Sequence, residues 1–291
     1  MVPQNARRGL LFALTAITIF AIQDGISKHL ATHYPPVFVV MLRYWAFAAF
    51  VILWAMQGPG GLRAAARTRR PVLQLVRGAM LGLQIVVAIT AFARVGLIET
   101  LAIFAAAPLV VAALSVPVLG EKVGWRRWTA IGVGFVGVLI ILRPGPGILD
   151  SEVWLALIAM CGIAVYSVLT RLAGRDDTAQ TSFFYTGIGG VVVLSLIGPF
   201  FWTDMTGPDW IWMAVLCVTG AAGHYFLIRA LEITDAVVIQ PVTYLQIVFG
   251  TFTGIVIFNE VLEWPVVAGT ALVIAAGLFT AWREATRAKR A

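Results

Sequence analysis

A chain of 291 residues that is 60% hydrophobic and only 12% charged has too little charge to cover a water-soluble surface. Its mean hydropathy of +0.91 makes lipid the solvent for most of it. A net charge of +7 invites a nucleic-acid reading, but the basic residues sit in short gaps between apolar runs and not on a folded polar face, which excludes that partner. The two cysteines, Cys161 and Cys217, lie inside apolar runs with no CxxC, so neither a zinc site nor a redox framework is expected.

A membrane helix needs about 20 mostly apolar residues, and ten such stretches follow one another. The first, residues 10–30, comes after Arg7 and Arg8 like a signal peptide, but no small-residue cleavage site follows, so it is read as an uncleaved helix. It carries Asp24 and Lys28 at i, i+4, a spacing that lets them pair. The second, residues 37–56, brings Arg43 to a similar depth. Ions at that depth are costly unless paired or wet. One reading is a structural pair, Asp24–Arg43 or Asp24–Lys28. The other is functional: Lys28 or Arg43 attracts a substrate carboxylate, or Asp24 takes a proton. The basic segment 62–70 reads equally as a short interfacial helix on anionic lipid or as a plain loop.

The third span, residues 72–93, carries Gln84. The fourth, 98–119, has Pro108 near its middle, which frees the carbonyl of Phe104. The fifth, 125–142, contains Gly132-Val-Gly134-Phe-Val-Gly137. This fits a dinucleotide fingerprint in letters only, because it lies inside an apolar span with no strand before it; close helix packing is the reading. Gly78-x-x-x-Gly82 and Gly250-x-x-x-Gly254 are read alike.

After a Pro/Gly-rich hinge at 143–151 come spans at 153–172 (with Tyr166), 179–201, 210–229 (with His224 and Tyr225), 234–258 (with Gln240, Pro241, Tyr244 and Gln246) and 262–282. Pro241 frees the carbonyl of Val237 as Pro108 does that of Phe104. Amide and phenol side chains at mid-depth can hydrogen-bond an amphipathic substrate without the cost of a bare ion, or they can join helices to one another. Aromatic rings such as Phe104 can stack on an aromatic cargo.

Most of the 21 lysines and arginines flank spans on the side holding the N-terminus, whereas only Lys28, Arg94 and Arg143 flank the other side. Positive charge marks the cytoplasm, so both termini are expected inside, which requires an even number of spans. The halves also match. Glu121-Lys-Val-Gly-Trp125 and Glu260-Val-Leu-Glu-Trp264 each close the fourth span of a five-span unit, and Glu99-Thr-Leu-Ala-Ile103 matches Asp235-Ala-Val-Val-Ile239. Five spans is odd, so the second unit (147–291) would insert upside down relative to the first (1–146), as in many secondary transporters. The fold class expected is all-α integral membrane, ten helices in two inverted repeats.

Ten spans in two units, Arg43-Tyr44 in the second span, and a Glu closing the fourth and ninth spans resemble the EamA type of the drug/metabolite transporter superfamily, from Gly9 to Trp282. Within it the chain looks most like YddG-type exporters of aromatic and other amino acids and methyl viologen. The resemblance implies a central cavity lined by spans 1, 3, 4, 6, 8 and 9, with spans 5 and 10 peripheral, and export across the bacterial cytoplasmic membrane. The first half keeps the family's Gly120-Glu121; the second has Asn259-Glu260, which weakens any role for a glycine there.

Other classes fit less well. A membrane enzyme needs a nucleophile with a base, or metal ligands, at membrane depth, and no H-E-x-x-H or G-x-S-x-G is present. There is no P-loop, so ATP is not the direct energy source. A channel would more naturally repeat like residues from several subunits. The expectation is therefore a secondary carrier without cofactor or metal, working on a small-molecule substrate in membrane lipid, as a monomer, by alternating access. Its candidate binding residues are Gln84, Phe104, Tyr166, His224, Tyr225, Gln240, Tyr244 and Gln246.

Overall fold

The computed structural model describes the backbone of residues 4–121, 124–143, 152–233, 239 and 242–288. All regular structure there is helical. In chain order the helices are α1 (Gln4–His33), α2 (Pro36–Gln57), α3 (Gly61–Ala65), α4 (Pro71–Arg94), α5 (Leu97–Phe104), α6 (Ala107–Leu119), α7 (Trp125–Leu142), α8 (Val153–Ala173), α9 (Ala179–Ile197), α10 (Gly207–Ile233), α11 (Leu245–Phe258) and α12 (Trp264–Ala288). Among the described residues, nine helical stretches are long and apolar enough to cross a bilayer, counting α5 with α6 as one and extending α9 by its last 3₁₀ turn, Gly198–Phe201. The tenth, α11, has 14 residues. Expected span 9 began at residue 234, and 234–238, 240 and 241 lie outside the described residues, as do Pro241 and the hinge residues 144–151.

The expected fourth span is two helices. Ala105 and Ala106 form a turn between α5 and α6, and Pro108 occupies the first turn of α6, a position that tolerates a residue without an N–H. The proline thus stands at the start of a second helix, just past the turn that divides the span. The basic segment resolves into a five-residue helix, α3, followed by turns; Ala65 is buried with Ala55 and Phe184.

Helix seams are made by glycine. α4 meets α9 where a Cβ on Gly78 would stand 2.2 Å from the Tyr185 carbonyl oxygen. α7 meets α12 where one on Gly137 would stand 2.8 Å from the Gly269 oxygen, and one on Gly269 2.5 Å from the Gly137 oxygen. Gly134 of the false fingerprint packs on Leu109, whereas Gly132 faces open space, so two of the three glycines of that motif are packing contacts. Trp125 and Trp264 each begin a helix and are strongly exposed, as fits anchors at a membrane–water interface.

Apolar packing joins the two halves. α1 packs on α10, α2 on α9, and α4 on both α8 and α9. The largest core cluster draws Leu30, Phe38, Met41 and Tyr44 from the first half together with Leu194, Met213 and Leu216 from the second. The space between those packed pairs is where the cavity lies.

Candidate functional site

A cavity of about 310 Å³ is lined by residues of α1 (Gln23, Asp24, Ser27), α2 (Arg43), α4 (Gln84, Ile85, Ala88, Ile89, Phe92), the α5–α6 break (Leu101, Phe104, Ala105, Ala107, Pro108), α8 (Ile163) and the start of α11 (Thr243, Tyr244, Gln246, Ile247). α7 and α12 stay outside it. α2 enters through Arg43, which the implied span set had left out, and α10 reaches only an adjoining crevice where Gly220 and His224 meet Arg43, Tyr44 and Phe47.

Polar groups concentrate on one side. Gln246 Nε2 donates to Asp24 Oδ2 at 2.6 Å. Gln84 Nε2 donates to the Ala159 carbonyl at 3.2 Å, which turns its own carbonyl oxygen free. Gln23 is 5% exposed, and its Oε1 is buried without a hydrogen-bond partner. That oxygen and Arg43 Nε lie 3.5 and 3.3 Å from where a Cβ on Gly220 would be, so the bare glycine leaves room for both beside the cavity. The other side is apolar, with Phe92 and Phe104 tilted against each other at 6.1 Å between ring centres.

Neither ion pair offered from sequence is formed among the described residues. Lys28 does not pair with Asp24 one turn below; its Nζ bonds Glu260 Oε1 and lies over the Phe258 ring. Its longer stem reaches past the cavity rim to a carboxylate brought in by tertiary packing. Asp24 and Arg43 share the cavity wall, yet neither appears in an ion pair among the described residues. Glu260, at the end of the ninth span, suits either anchoring or pairing with a cation, and here it pairs with Lys28. It accepts from the backbone N–H of Leu97 at 2.7 Å and of Ile98 at 2.9 Å, capping the start of α5.

Of the expected binding residues, Gln84, Phe104, Tyr244 and Gln246 line the cavity, with Asp24, Arg43 and Pro108 beside them. Tyr166 does not: its hydroxyl accepts from Arg77 Nη1 at 2.9 Å and stands 3.3 Å from Thr186 Oγ1. Tyr225 points away, 39% exposed and edge-on to Phe226. His224 is boxed by Phe20, Phe47 and Phe183 at 5.3 to 6.1 Å between ring centres. Gln240 lies outside the described residues. Tyr244 presents its ring to the cavity, while its buried hydroxyl, with no hydrogen-bond partner, abuts Gly277 of α12.

Sequence reasoning missed Gln23 and Ser27. The signal was there: Gln23, Asp24, Ser27 and Lys28 form a polar stripe at i, i+1, i+4, i+5 on a helix that is otherwise apolar. Among the described residues no group of three or more His, Cys, Asp and Glu side chains comes together to hold a metal.

A multi-pass helical protein with a half-polar, half-apolar cavity at its centre belongs, by architecture, with membrane carriers of small molecules. The sequence model of the EamA-like transporter family matches twice, over residues 7–143 and 150–282. The chain belongs to the EamA-like transporter family, within the drug/metabolite transporter superfamily. It is 27% identical to the S-adenosylmethionine uptake transporter of Rickettsia prowazekii, over 95% of this chain and 93% of that one. It is 26% identical to the riboflavin transporter of Vibrio cholerae, over 97% and 96%, and 25% identical to the pseudopaline exporter of Pseudomonas aeruginosa, over 95% and 96%. One solved structure, 18% identical, superposes with a TM-score of 0.64 over 94% of this chain and 96% of that one, and shares the fold. The chain is thus a membrane transporter of small metabolites. These three relatives carry cargo other than simple amino acids, so the similarity does not single out YddG-type exporters.

Proposed function

We propose that the protein is a secondary carrier for a zwitterionic metabolite bearing an α-amino-acid end, either an amino acid, aromatic ones included, or a derivative such as S-adenosylmethionine. The observation that carries this is a carboxylate and a guanidinium, Asp24 and Arg43, on one cavity wall without an ion pair between them. Two opposite charges kept apart in a low-dielectric site match a cargo with the complementary separation. Arg43 can grip the carboxylate as a fork, while Asp24, oriented by Gln246, receives the ammonium. The free oxygen of Gln23 adds an acceptor. Phe92 and Phe104 offer rings to an aromatic or heterocyclic side group.

A bare organic cation such as methyl viologen is the second reading, since Asp24 and the rings suit it. Arg43 in the same wall would repel it, which favours the zwitterion. We further propose alternating access between two inverted five-helix units in the bacterial cytoplasmic membrane, with export as the direction that the sequence resemblance implies.

The test is counterflow into proteoliposomes with radiolabelled phenylalanine and, separately, S-adenosylmethionine, against unlabelled amino acids, riboflavin and methyl viologen. Saturable uptake of either label, lost in both Arg43→Ala and Asp24→Asn, is the expected result. Uptake of methyl viologen that survives Arg43→Ala, with no uptake of either zwitterion, would replace this reading with the cation one.

A further inference from the structure

The fourth span begins and ends at a glutamate. At its start, Glu260 accepts from Leu97 N–H and Ile98 N–H and pairs with Lys28 near the end of α1. At its finish, Glu121 pairs with Arg171 near the end of α8. The span from Leu97 to Leu119 has 23 residues, so the two pairs lie about 34 Å apart along it at 1.5 Å per residue.

The local chemistry is the same at both. Each glutamate follows a residue in the left-handed conformation that ends a helix: Gly120 at φ 72° before Glu121, Asn259 at φ 53° before Glu260. Each glutamate's N–H returns to the carbonyl six residues earlier, Glu121 to Ser115 at 3.3 Å and Glu260 to Gly254 at 2.9 Å, so the two helix ends close in the same way. Asparagine tolerates that conformation nearly as glycine does, so the second half keeps the device although it lacks the glycine. The cations also correspond, each in the last turns of the first span of its half.

The two pairs differ in surroundings. Lys28 and Glu260 side chains are 11% and 15% exposed, whereas Arg171 and Glu121 are 49% and 32% exposed. One pair is enclosed by its neighbours and the other lies nearer the surface.

We infer that Lys28–Glu260 and Arg171–Glu121 are reciprocal latches, positioning residues that hold the first span of each half against the opposite half's glutamate at alternate ends of the carrier. They touch no cargo. Each closed pair draws a first-span helix over the cavity mouth at its end; releasing one frees that helix while the other pair stays closed. In the present conformation both latches are engaged, the Glu260 pair buried and the Glu121 pair the more exposed one. This rests on the carrier reading above but not on the identity of the cargo.

The test reads access without transport. Cys161 and Cys217 are replaced by serine, and Ala88→Cys in the cavity wall serves as reporter. A membrane-impermeant maleimide is applied to each face in right-side-out and inverted vesicles of the full-length protein. Glu260→Gln is expected to raise labelling from one face by about tenfold. Glu121→Gln is expected to raise it from the opposite face. Lys28→Met and Arg171→Met repeat the two effects by removing the other partner, and Glu260→Asp restores the parent rate. Labelling that rises from both faces alike, from the same face for both variants, or from neither, in protein that remains monodisperse, would overturn the latch. Failure to transport any zwitterion would leave this result untouched.

Discussion

Gly277 lies in α12, outside the cavity, yet it sets the position of a residue inside it. A Cβ there would stand 2.0 Å from the Tyr244 hydroxyl. Gly277→Ala should push the phenol toward the cavity and raise KM for the cargo several-fold with little change in expression, measured by concentration dependence in proteoliposomes. Gln246→Ala removes the hydrogen bond to Asp24. Bonds to charged groups are worth about 1.5–3 kcal/mol, so KM should rise by roughly 10- to 150-fold if Asp24 meets the substrate; an unchanged KM would remove Asp24 from the site. The sequence exposed the charged residues of this site but misread their pairing. Asp24 and Lys28 sit one turn apart, and spacing alone suggests that they join. What decides is side-chain length against a partner 232 residues away, which no local pattern contains. Gln23 differs from the other amides in that its value lies in a buried oxygen without a partner, which only tertiary packing sets.

Among the elements, the broken fourth span shows how a proline acts at a helix start. Its N–H would have been unpaired there anyway, and the break places Phe104 and Ala105 on the cavity. Pro108→Ala should permit α5 and α6 to fuse and swing Phe104 away. The expected outcome is near-parental thermal stability with transport cut by at least about tenfold, read by melting and uptake on the same preparation. The α7–α12 seam predicts the reverse pattern. Gly137→Ala brings a methyl to 2.8 Å from the Gly269 oxygen, and overpacking of this kind costs about 1–3 kcal/mol. It should lower the melting temperature while leaving KM unaltered. Apolar periodicity made every one of these elements visible in the sequence, because a helix that must satisfy its backbone in lipid advertises itself by length. The break was visible only as a proline; whether a proline kinks a helix or starts one depends on the two residues before it.

Across the whole molecule, loop contacts tie the halves, among them the ion pair of Arg70 with Asp176 and the hydrogen bonds of Asp177. Asp177 accepts from Thr68 Oγ1, from Gln74 Nε2 at 2.9 Å and from the Arg69 N–H at 3.0 Å. Burial raises its pKa, but the hydrogen bonds from Thr68, Gln74 and Arg69 outweigh that and hold the carboxyl below its usual range. A depressed carboxylate stabilises the fold fully above its unfolded pKa of about 4 and loses that contribution as pH falls through the folded value. Asp177→Asn should therefore melt lower than the parent at pH 7, with the gap closing below pH 4; a gap independent of pH would show that the charge is not what binds the loops.

Arg77, in α4, is 1% exposed. Its guanidinium is held by Gln74 of its own helix and by Tyr166, Thr170 and the Ser182 carbonyl, which all belong to the second half. An arginine at membrane depth costs about 2.5–3.5 kcal/mol on insertion scales. During synthesis that cost stands until residues more than 80 positions downstream emerge and enter the bilayer. The third span is thus a provisional guest of the membrane, made permanent by helices not yet translated. A first half expressed alone should leave that span poorly inserted, and co-expression of the second half should rescue it. The order of manufacture, and not the finished contacts alone, then explains why the two halves of this carrier travel as one chain.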